Sequence, residues 1–221
     1  MRLEIVSDFD GTIVNIDAVE YLLARFADGD WRKYDDQYEK GEISLEECLR
    51  QQYRMIKEPR QKLLNAVDGA TTFRAGFDEL IAFCKQKGIT FTIVSAGLDF
   101  VIAHLLRRKN MENRIVVWAP KSKLRSRGIF LDFSGLPERG TSNFKSSLVR
   151  SIQARRTSVA YIGDGLSDYE AIRHANVRFV IKGSRLAERC RKDGVKCREI
   201  TNLKEVTRSV LRRERQSVSR T

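Results

Sequence analysis

Residues 3–12 read LEIVSDFDGT, and this stretch decides how the rest of the chain is interpreted. Its first half is an apolar run long enough for one buried strand of a parallel sheet. Asp8 and Asp10 follow at the predicted strand end, and ligands of open α/β sheets bind outside that end of the strands. Two carboxylates this close repel each other unless a cation or a shared proton compensates, so the stretch predicts a functional site. Gly11 indicates a tight turn or a close approach to a ligand, and an Asx-rich turn that only closes a strand stays open as an alternative.

The composition indicates a protein with a hydrophobic core of ordinary size. At 221 residues the chain has room for one large domain, or for a core with one insertion, and 42% of its residues are hydrophobic. No apolar run approaches the length of a membrane span, and we expect no signal peptide because the first strand begins at Leu3. The four cysteines form no CxxC pair and there are two histidines, which argues against zinc and predicts reduced cysteines in a cytoplasmic protein.

The net charge of +12 has two interpretations. A basic surface attracts small anionic substrates, and it also attracts nucleic acid. Much of the positive charge lies in runs at 107–109, 155–156 and 212–215, which follow helical patterns typical of solvated faces. No nucleic-acid reading motif is present, so the charge favours an anionic substrate and leaves nucleic-acid binding as an alternative.

Residues 15–72 form an unusually long excursion after the first strand. The next apolar strand is predicted at 89–94, and the single helix predicted at 75–87 is enough to connect two parallel strands. The excursion itself is helical: apolar residues recur at helical spacing from Val19 to Phe26, Ser44 and Glu47 have the spacing of a capping box, and Pro59 suits a first helical turn. We therefore expect four amphipathic helices that form a small bundle over the strand end, as a cap domain of residues 15–72.

The remaining residues, 1–14 and 73–221, are predicted to form the core domain. Apolar runs predict further strands, and amphipathic runs predict helices between them, at 98–108, 144–153, 185–192 and 203–213. The further strands are expected at 114–118, 158–162 and 176–181, and a hairpin strand is expected at 129–131 within the basic segment 121–140. Alternating strands and helices predict an α/β fold, a doubly wound parallel Rossmann-like sheet, with a polar end that frays after Arg213.

Polar residues follow three of the predicted strands and begin one helix. Each group has a structural interpretation by itself, because a serine after a strand is often a helix N-cap, GDG is often a turn and a lysine is often a surface charge. The groups are Asp8 and Asp10, Ser95 with Ala96 and Gly97, Lys145, and Asp164 with Asp168. Four acids and a lysine at one sheet edge provide what a divalent metal and a phosphoryl group require, because carboxylates bind Mg²⁺ and donors neutralise phosphoryl oxygens.

These residues resemble the four motifs of the haloacid dehalogenase superfamily of aspartyl phosphatases. The motifs are DFDGT at 8–12, Ser95, Lys145, and GDGLSD at 163–168, and the resemblance covers nearly the whole core. The helical insertion lies where the C1 caps of that superfamily lie. Within the superfamily the chain is similar to the phosphoserine-phosphatase-like branch, and its residues 73–77 and 95–100 look closest to the methionine-salvage phosphatases of that branch.

The resemblance implies a role for each motif residue. Asp8 would be the nucleophile that becomes an aspartyl-phosphate, and Asp10 would be the general acid and base. Ser95 and Lys145 would bind the transferring group, with Gly11, Ala96 and Gly97 contacting the substrate. The cofactor implied is Mg²⁺, with a metal set of Asp8, Asp10 through its backbone carbonyl, Asp164, and Asp168 through a metal-bound water.

The predicted cap bears on the choice of substrate. Phosphoserine phosphatases use a cap acid and a cap arginine for the amino acid part of the substrate, and Asp17 could supply the acid. The arginine lies in a Leu-Arg-x-Arg context in those enzymes, whereas residues 49–52 here read LRQQ, so Gln52 replaces the second arginine. A glutamine carries no charge for a substrate carboxylate. We therefore expect a small phosphorylated metabolite of the keto or polyol kind used in methionine salvage, acted on by a monomer or homodimer. Phosphoserine remains open if Arg50 binds the carboxylate, and a phosphotransferase would use the same residues.

Overall fold

The computed structural model describes residues 2–112, 114–137 and 143–218, and side chains as far as 212. The strands are β1 (Leu3–Ser7), β2 (Thr90–Val94), β3 (Val116–Trp118), β4 (Lys121–Arg125), β5 (Gly128–Asp132), β6 (Ser158–Gly163), β7 (Val177–Ile181) and β8 (Arg198–Ile200). The helices are α1 (Ala18–Phe26), α2 (Arg32–Glu39), α3 (Leu45–Arg54), α4 (Arg60–Ala70), α5 (Phe77–Lys87), α6 (Asp99–Arg108), α7 (Phe144–Gln153), α8 (Tyr169–His174), α9 (Arg185–Lys192) and α10 (Lys204–Val218).

Six strands form a parallel sheet in the order β3-β2-β1-β6-β7-β8, which confirms the predicted Rossmann-like architecture. The apolar strand β1 is central, and Ile5 and Val6 are fully buried because neighbours pair with it on both sides. Its last residue, Ser7, lies opposite Ile93 of β2 and Ile162 of β6. The residues that follow these three strands therefore emerge at one edge of the sheet, where the polar motifs were predicted to meet.

The helices α1–α4 lie between β1 and α5, and we call them the cap. Polar side chains cap the starts of α1 and α3. Asp17 accepts a hydrogen bond from the Glu20 amide, and Ser44 accepts one from the Glu47 amide. The Glu47 carboxylate bonds to Gln51 Nε2 instead of returning to Ser44, so half of the predicted capping box forms in the described contacts.

The chain enters and leaves the cap at one place. The Asn15 amide donates to the Thr72 carbonyl at 2.9 Å, and the Thr72 amide donates to Asn15 Oδ1 at 2.7 Å. One residue further out on each side, Val14 and Phe73 form an antiparallel bridge. The two connections between cap and core are therefore hydrogen-bonded to each other.

A hairpin of β4 and β5 supports the cap from the core side. It contains the strand that was predicted at 129–131, paired antiparallel with β4. Gly128 begins β5 with a φ of 113°, and a Cβ at this position would overlap the backbone of Arg54 in α3. Helix α3 therefore lies directly on the hairpin, a contact that only a glycine at position 128 permits. The rest of the segment that the sequence left unassigned includes 138–142, which lie outside the described residues.

The ends of several elements differ from the predicted ones for local reasons. Helix α5 begins at Phe77 and not at residue 75, because Gly76 has a left-handed φ of 89° and packs against the backbone of Lys204. Strand β3 begins at Val116, two residues later than predicted. Helix α10 continues to Val218, whereas the sequence predicted fraying after Arg213. None of the described helices combines the length and the apolar composition that a membrane crossing requires.

Candidate active site

The C-terminal edge of the sheet brings the predicted catalytic side chains together. Asp8 follows β1 and Ser95 follows β2, and both are buried. Lys145, in the first turn of α7, is 1% exposed, and its Nζ lies 3.0 Å from Asp8 Oδ1 and 2.7 Å from Asp168 Oδ1. Burial alone would lower the pKa of the Lys145 ammonium, but the carboxylates of Asp168 and Asp8 outweigh it and raise that pKa. The site therefore contains one buried, charged lysine among carboxylates.

The carboxylates of Asp8, Asp164 and Asp168 form a cluster whose candidate ligand atoms all lie within 4.8 Å of one another. Burial and then the charge of Asp168 raise the pKa of Asp164 to about 7, and the same two causes raise the pKa of Asp8 well above its ordinary value. Asp8 Oδ1 is buried and accepts no well-directed hydrogen bond from the described residues, although Lys145 Nζ is near. Clustered oxygen donors, excess negative charge and an oxygen with no directed donor fit a hard divalent cation such as Mg²⁺.

Asp168 is the best-connected acid of this cluster. Its Oδ1 accepts hydrogen bonds from Lys145 Nζ and from the Tyr161 hydroxyl, each at 2.7 Å. Its Oδ2 accepts from the backbone amides of Asp164 and Gly165, each at 3.1 Å. Both oxygens are thus engaged in holding the loop after β6 and the lysine. Asp8, Asp10 and Asp164 line the adjoining cavity, and among the residues that line it Asp168 is not found.

Asp10 occupies a different environment from Asp8. Its Oδ2 accepts a hydrogen bond from Ser95 Oγ at 3.3 Å, and its Oδ1 accepts one from the Ala18 amide at 3.2 Å. Gly97 makes room for it, because a Cβ at that position would overlap Asp10 Oδ2. Burial, followed by the negative charge of Asp17, raises the pKa of Asp10 to about 8. A carboxyl group with that pKa carries a proton at neutral pH and can donate it.

The loop after Asp10 contacts the metal cluster through two residues. Gly11 has a φ of 66°, and a Cβ there would overlap the Asp164 carboxylate, so the backbone lies directly against that acid. Thr12 Oγ1 donates a hydrogen bond to Asp164 Oδ1 at 2.6 Å. Gly11 was predicted to contact the substrate, yet it does not line the cavity and contacts Asp164 instead. The role of Thr12 was missed, although the residue belongs to the DFDGT motif.

A cavity of about 590 Å³ lies between these residues and the cap. Part of its cap wall is apolar, formed by Val19, Leu23, Trp31, Leu45 and Leu49. The same wall contains acidic residues, which are Asp17, Glu20, Asp35, Asp36 and Glu39. Asp17, Gln52, Ala96 and Gly97, which are expected from the sequence to contact the substrate, line the cavity. Gln52 is 3% exposed, and its Nε2 donates to Asp35 Oδ1 at 2.8 Å. Burial raises the pKa of Asp35, a wall residue that the sequence did not single out.

Among the described residues two arginines line the cavity, and each is paired with a glutamate of the same wall. Arg32 lies 4.0 Å from Glu20 and stacks on the Trp31 ring. Arg185, at the start of α9, forms an ion pair with Glu39 of α2. The positive charges at the cap end of the cavity are therefore compensated within its own wall.

Arg50 does not join the other predicted residues. Its Nη1 donates to the Leu131 carbonyl at 2.8 Å, and its guanidinium lies over the Phe133 ring. Arg50 and Gln52 are two positions apart on α3, and residues at that spacing do not share a helix face. Because Gln52 faces the cavity, Arg50 faces the hairpin, and it is absent from the described lining of the cavity.

This combination of fold and site defines a class of enzymes, and comparison with known proteins identifies it. The chain belongs to the family of haloacid dehalogenase-like hydrolases, which matches residues 5–173. The resemblance noted from the four motifs is thereby confirmed, together with the assignment to a hydrolase.

Within this family the chain is similar to several named phosphatases. The chain is 25% identical over 177 residues to 2-hydroxy-3-keto-5-methylthiopentenyl-1-phosphate phosphatase of Bacillus pumilus (strain SAFR-032), covering 78% of this chain and 76% of that protein. It is 27% identical over 199 residues to the phosphatase of the same name from Geobacillus kaustophilus (strain HTA426), covering 88% and 89%. A solved structure described as a phospho-aspartyl intermediate analogue of phosphoserine phosphatase has a similar fold, with a TM-score of 0.69, 20% identity, and coverage of 94% of this chain and 98% of that chain.

Proposed function

We propose that this protein is a Mg²⁺-dependent phosphatase that hydrolyses a small phosphorylated metabolite through an aspartyl-phosphate on Asp8. One observation carries the proposal: Asp8, paired with Lys145 at 3.0 Å, and Asp10, with a pKa of about 8, line the same cavity. Lys145 and a bound cation would oppose the burial that raises the pKa of Asp8 and so favour its ionised, nucleophilic form, while the protonated Asp10 can donate its proton to the leaving group.

The two half-reactions follow from the positions of these groups. An oxygen of Asp8 attacks phosphorus, the bond from phosphorus to the leaving oxygen breaks, and Asp10 gives that oxygen its proton. Asp10, now a base, takes a proton from water, whose oxygen attacks the same phosphorus and releases phosphate from Asp8.

Several groups would stabilise the negative charge on the phosphoryl oxygens. Lys145, the Ser95 hydroxyl and the Gly97 amide would orient the phosphoryl oxygens during both displacements. When held by Asp8, Asp164 and the backbone carbonyl of Asp10, with Asp168 acting through a water, Mg²⁺ would supply additional positive charge for the phosphoryl group.

The wall of the cavity supports a substrate whose organic part carries hydroxyl or keto groups and no carboxylate. Arg32 and Arg185 are paired with glutamates, and Gln52 is neutral. A substrate carboxylate without a partner would cost about 1–3 kcal/mol. The apolar surface of the cap suits a substrate with a non-polar end. The relatives named 2-hydroxy-3-keto-5-methylthiopentenyl-1-phosphate phosphatase agree with this chemistry, so we propose a keto or polyol phosphate of the methionine-salvage kind.

Phosphoserine is the second candidate, because Asp17 lines the cavity and is the charged neighbour that most strongly raises the pKa of Asp10. An acid at that position could accept hydrogen bonds from a substrate ammonium. The carboxylate of phosphoserine would still need a cation, and Arg50, which the sequence offered for this role, contacts the hairpin instead.

Two phosphate esters of nearly equal size, one with a hydroxyl group and one with a carboxylate, test the proposal. With Mg²⁺ present, we expect 2-hydroxyethyl phosphate to have a higher kcat/KM than 2-phosphoglycolate by about tenfold or more, since a decade corresponds to about 1.4 kcal/mol. p-Nitrophenyl phosphate serves as a reference for turnover without selectivity. If phosphoglycolate or L-phosphoserine proves the better substrate by tenfold, and Arg50→Ala removes that preference, the substrate assignment is wrong. Transfer of phosphate to added alcohols in preference to water would identify a phosphotransferase.

A further inference from the structure

The side chain of Arg74 makes an unusual set of contacts beside the site. Its Nη2 donates to the Gly11 carbonyl at 2.5 Å and its Nε donates to the Thr12 carbonyl at 2.7 Å. Its Nη1 reaches the Thr201 carbonyl at 3.4 Å. No carboxylate of the described residues lies within ion-pair distance of it, whereas guanidinium groups usually pair with carboxylates or phosphates. Arg74 therefore acts on backbone and not on a neighbouring acid.

Gly11 and Thr12, whose carbonyl groups accept hydrogen bonds from Arg74, also contact Asp164. Gly11 lies against the Asp164 carboxylate, and the Thr12 hydroxyl donates to its Oδ1 at 2.6 Å. Asp164 is also the charged neighbour of Arg74: burial lowers the pKa of the guanidinium, and the Asp164 charge opposes that effect. A continuous path of direct contacts thus runs from the guanidinium through one short loop to a carboxylate of the metal cluster.

Arg74 also lies where three segments of the chain meet. Its own amide donates to the Ile13 carbonyl at 2.7 Å, one residue from the bridge that closes the base of the cap. Thr201 belongs to the turn before α10, which the Glu205 carboxylate holds by accepting from the Thr201 amide at 2.9 Å. The loop after the nucleophile is therefore fixed from outside the site, by a residue of the segment that returns from the cap.

We propose that Arg74 is a positioning residue for the metal site, which holds the Gly11–Thr12 loop so that the Thr12 hydroxyl fixes the Asp164 carboxylate toward the cation. The inference rests on the proposed Mg²⁺ site. An arginine is needed because its planar fork reaches two successive carbonyls at once, and a lysine ammonium is a single point charge. Residues that orient metal ligands in this way typically contribute about 10–100-fold to metal affinity.

The test compares Arg74→Gln and Arg74→Lys with a matched control. Arg178 of β7 is also half-buried and donates through Nε and Nη2 to two carbonyls, those of Ala175 and Arg173, but it lines a separate cavity. The first readout is the Kd for Mg²⁺, measured by isothermal titration calorimetry on full-length protein. The second is the unfolding free energy in chelator, and the third is kcat and KM at saturating Mg²⁺.

We expect both Arg74 variants to weaken Mg²⁺ binding by about 10–100-fold. We expect KM at saturating Mg²⁺ to stay within about twofold, since Arg74 does not line the cavity. Arg178→Gln should lower stability in chelator and leave the Kd for Mg²⁺ unchanged. An unchanged Kd in a folded Arg74→Gln protein would overturn the proposal, as would an equal loss of affinity in the Arg178 variant.

A second variant tests the path even if the Arg74 variants fold poorly. Thr12→Val keeps the shape of the side chain and removes the hydroxyl that donates to Asp164. We expect it to weaken Mg²⁺ binding in the same direction, and we expect the double variant with Arg74→Gln to lose less than the product of the two single effects. Fully multiplicative losses, or an unchanged Kd in Thr12→Val, would overturn the proposed path. Wild-type protein that neither binds Mg²⁺ nor releases phosphate would instead refute the proposed function.

Discussion

Lys145 Nζ lies 3.0 Å from Asp8 Oδ1, and both side chains are almost entirely excluded from solvent. The same ammonium is hydrogen-bonded to Asp168, so one positive charge serves two buried carboxyl groups. Removing one partner from a buried ion pair is costly because the remaining charge has no compensation and no water.

We therefore expect Lys145→Met to lower the unfolding free energy in chelator by about 3–5 kcal/mol. Added Mg²⁺ should recover part of this loss, because a cation compensates the same carboxylates. Urea denaturation at pH 7 measures both effects. The matched control is Lys57→Met, which removes an exposed pair with Asp28 at 2.8 Å and should cause no comparable change. Equal stability of Lys145→Met and wild type would contradict the prediction.

Substitutions of the two acids of the DFDGT motif should affect different half-reactions. Asp8→Asn is expected to form no covalent intermediate, because an amide oxygen is a poor nucleophile. Asp10→Asn should form some adduct and release it slowly, with a loss of about 10²–10⁴ in turnover. Acid quenching followed by detection of a base-labile phosphoryl group on the protein measures both. An adduct on any residue other than Asp8, or wild-type turnover in Asp10→Asn, would be incompatible with the assigned roles.

Stability in the absence of metal should fall as pH rises. Burial raises the folded-state pKa values of Asp164 to about 7 and of Asp10 to about 8 from an ordinary value of 3.8, so the folded protein binds these protons more tightly than the unfolded chain. Their stabilising contribution is complete below about pH 4 and is lost between about pH 4 and 8, by up to about 1.4 kcal/mol per pH unit and carboxyl.

Urea denaturation in chelator at pH 5, 6, 7 and 8 tests this dependence. Asp164→Asn should flatten the profile because its amide does not titrate, and Mg²⁺ should flatten it by competing with protons. A wild-type profile in chelator that rises from pH 5 to 8 would show that the acids are ionised in the folded protein at low pH.

The contact between the hairpin and the cap should affect substrate binding more than chemistry. Gly128→Ala would place a methyl group against the Arg54 backbone at a φ of 113°, so α3 would have to move away from the hairpin. We expect a lower Tm and a raised KM, with a smaller effect on kcat. Gly135→Ala is the control, because no atom of the described residues lies within 4 Å of a Cβ there. Identical KM values for the two variants would show that this contact does not position the cap.

The sequence predicts the core of this protein well because two independent signals coincide there. Apolar runs identify β1, β2 and β6, and the acids and the serine that follow them identify the functional edge. Helices α7 and α9 have the predicted bounds because both begin at polar N-caps, Asn143 and Ser184. Strand β8 was missed because it has three residues, two of them exposed, and forms by pairing with β7.

The cap side of the site was harder to predict for a geometric reason. Sequence places Arg50 and Gln52 on one helix but does not say which face meets the cavity, and that depends on where α3 rests on the hairpin. The contacts of Arg74 were equally hidden, because they join carbonyls about sixty residues away in the chain. Every residue has a backbone carbonyl, so the sequence does not indicate which of them accept hydrogen bonds from a distant arginine.

The paired hydrogen bonds between Asn15 and Thr72 have a consequence for how such enzymes diversify. The two ends of the inserted helices lie side by side, as the ends of a tight turn do. The length of the insertion therefore does not affect the position of the strands. The helices could be exchanged for others, or shortened to a few residues, without altering the strand pairing that aligns the acids. Selection can therefore act on the recognition of new metabolites through the inserted helices, provided that the start of α1 keeps the Ala18 amide that donates to Asp10.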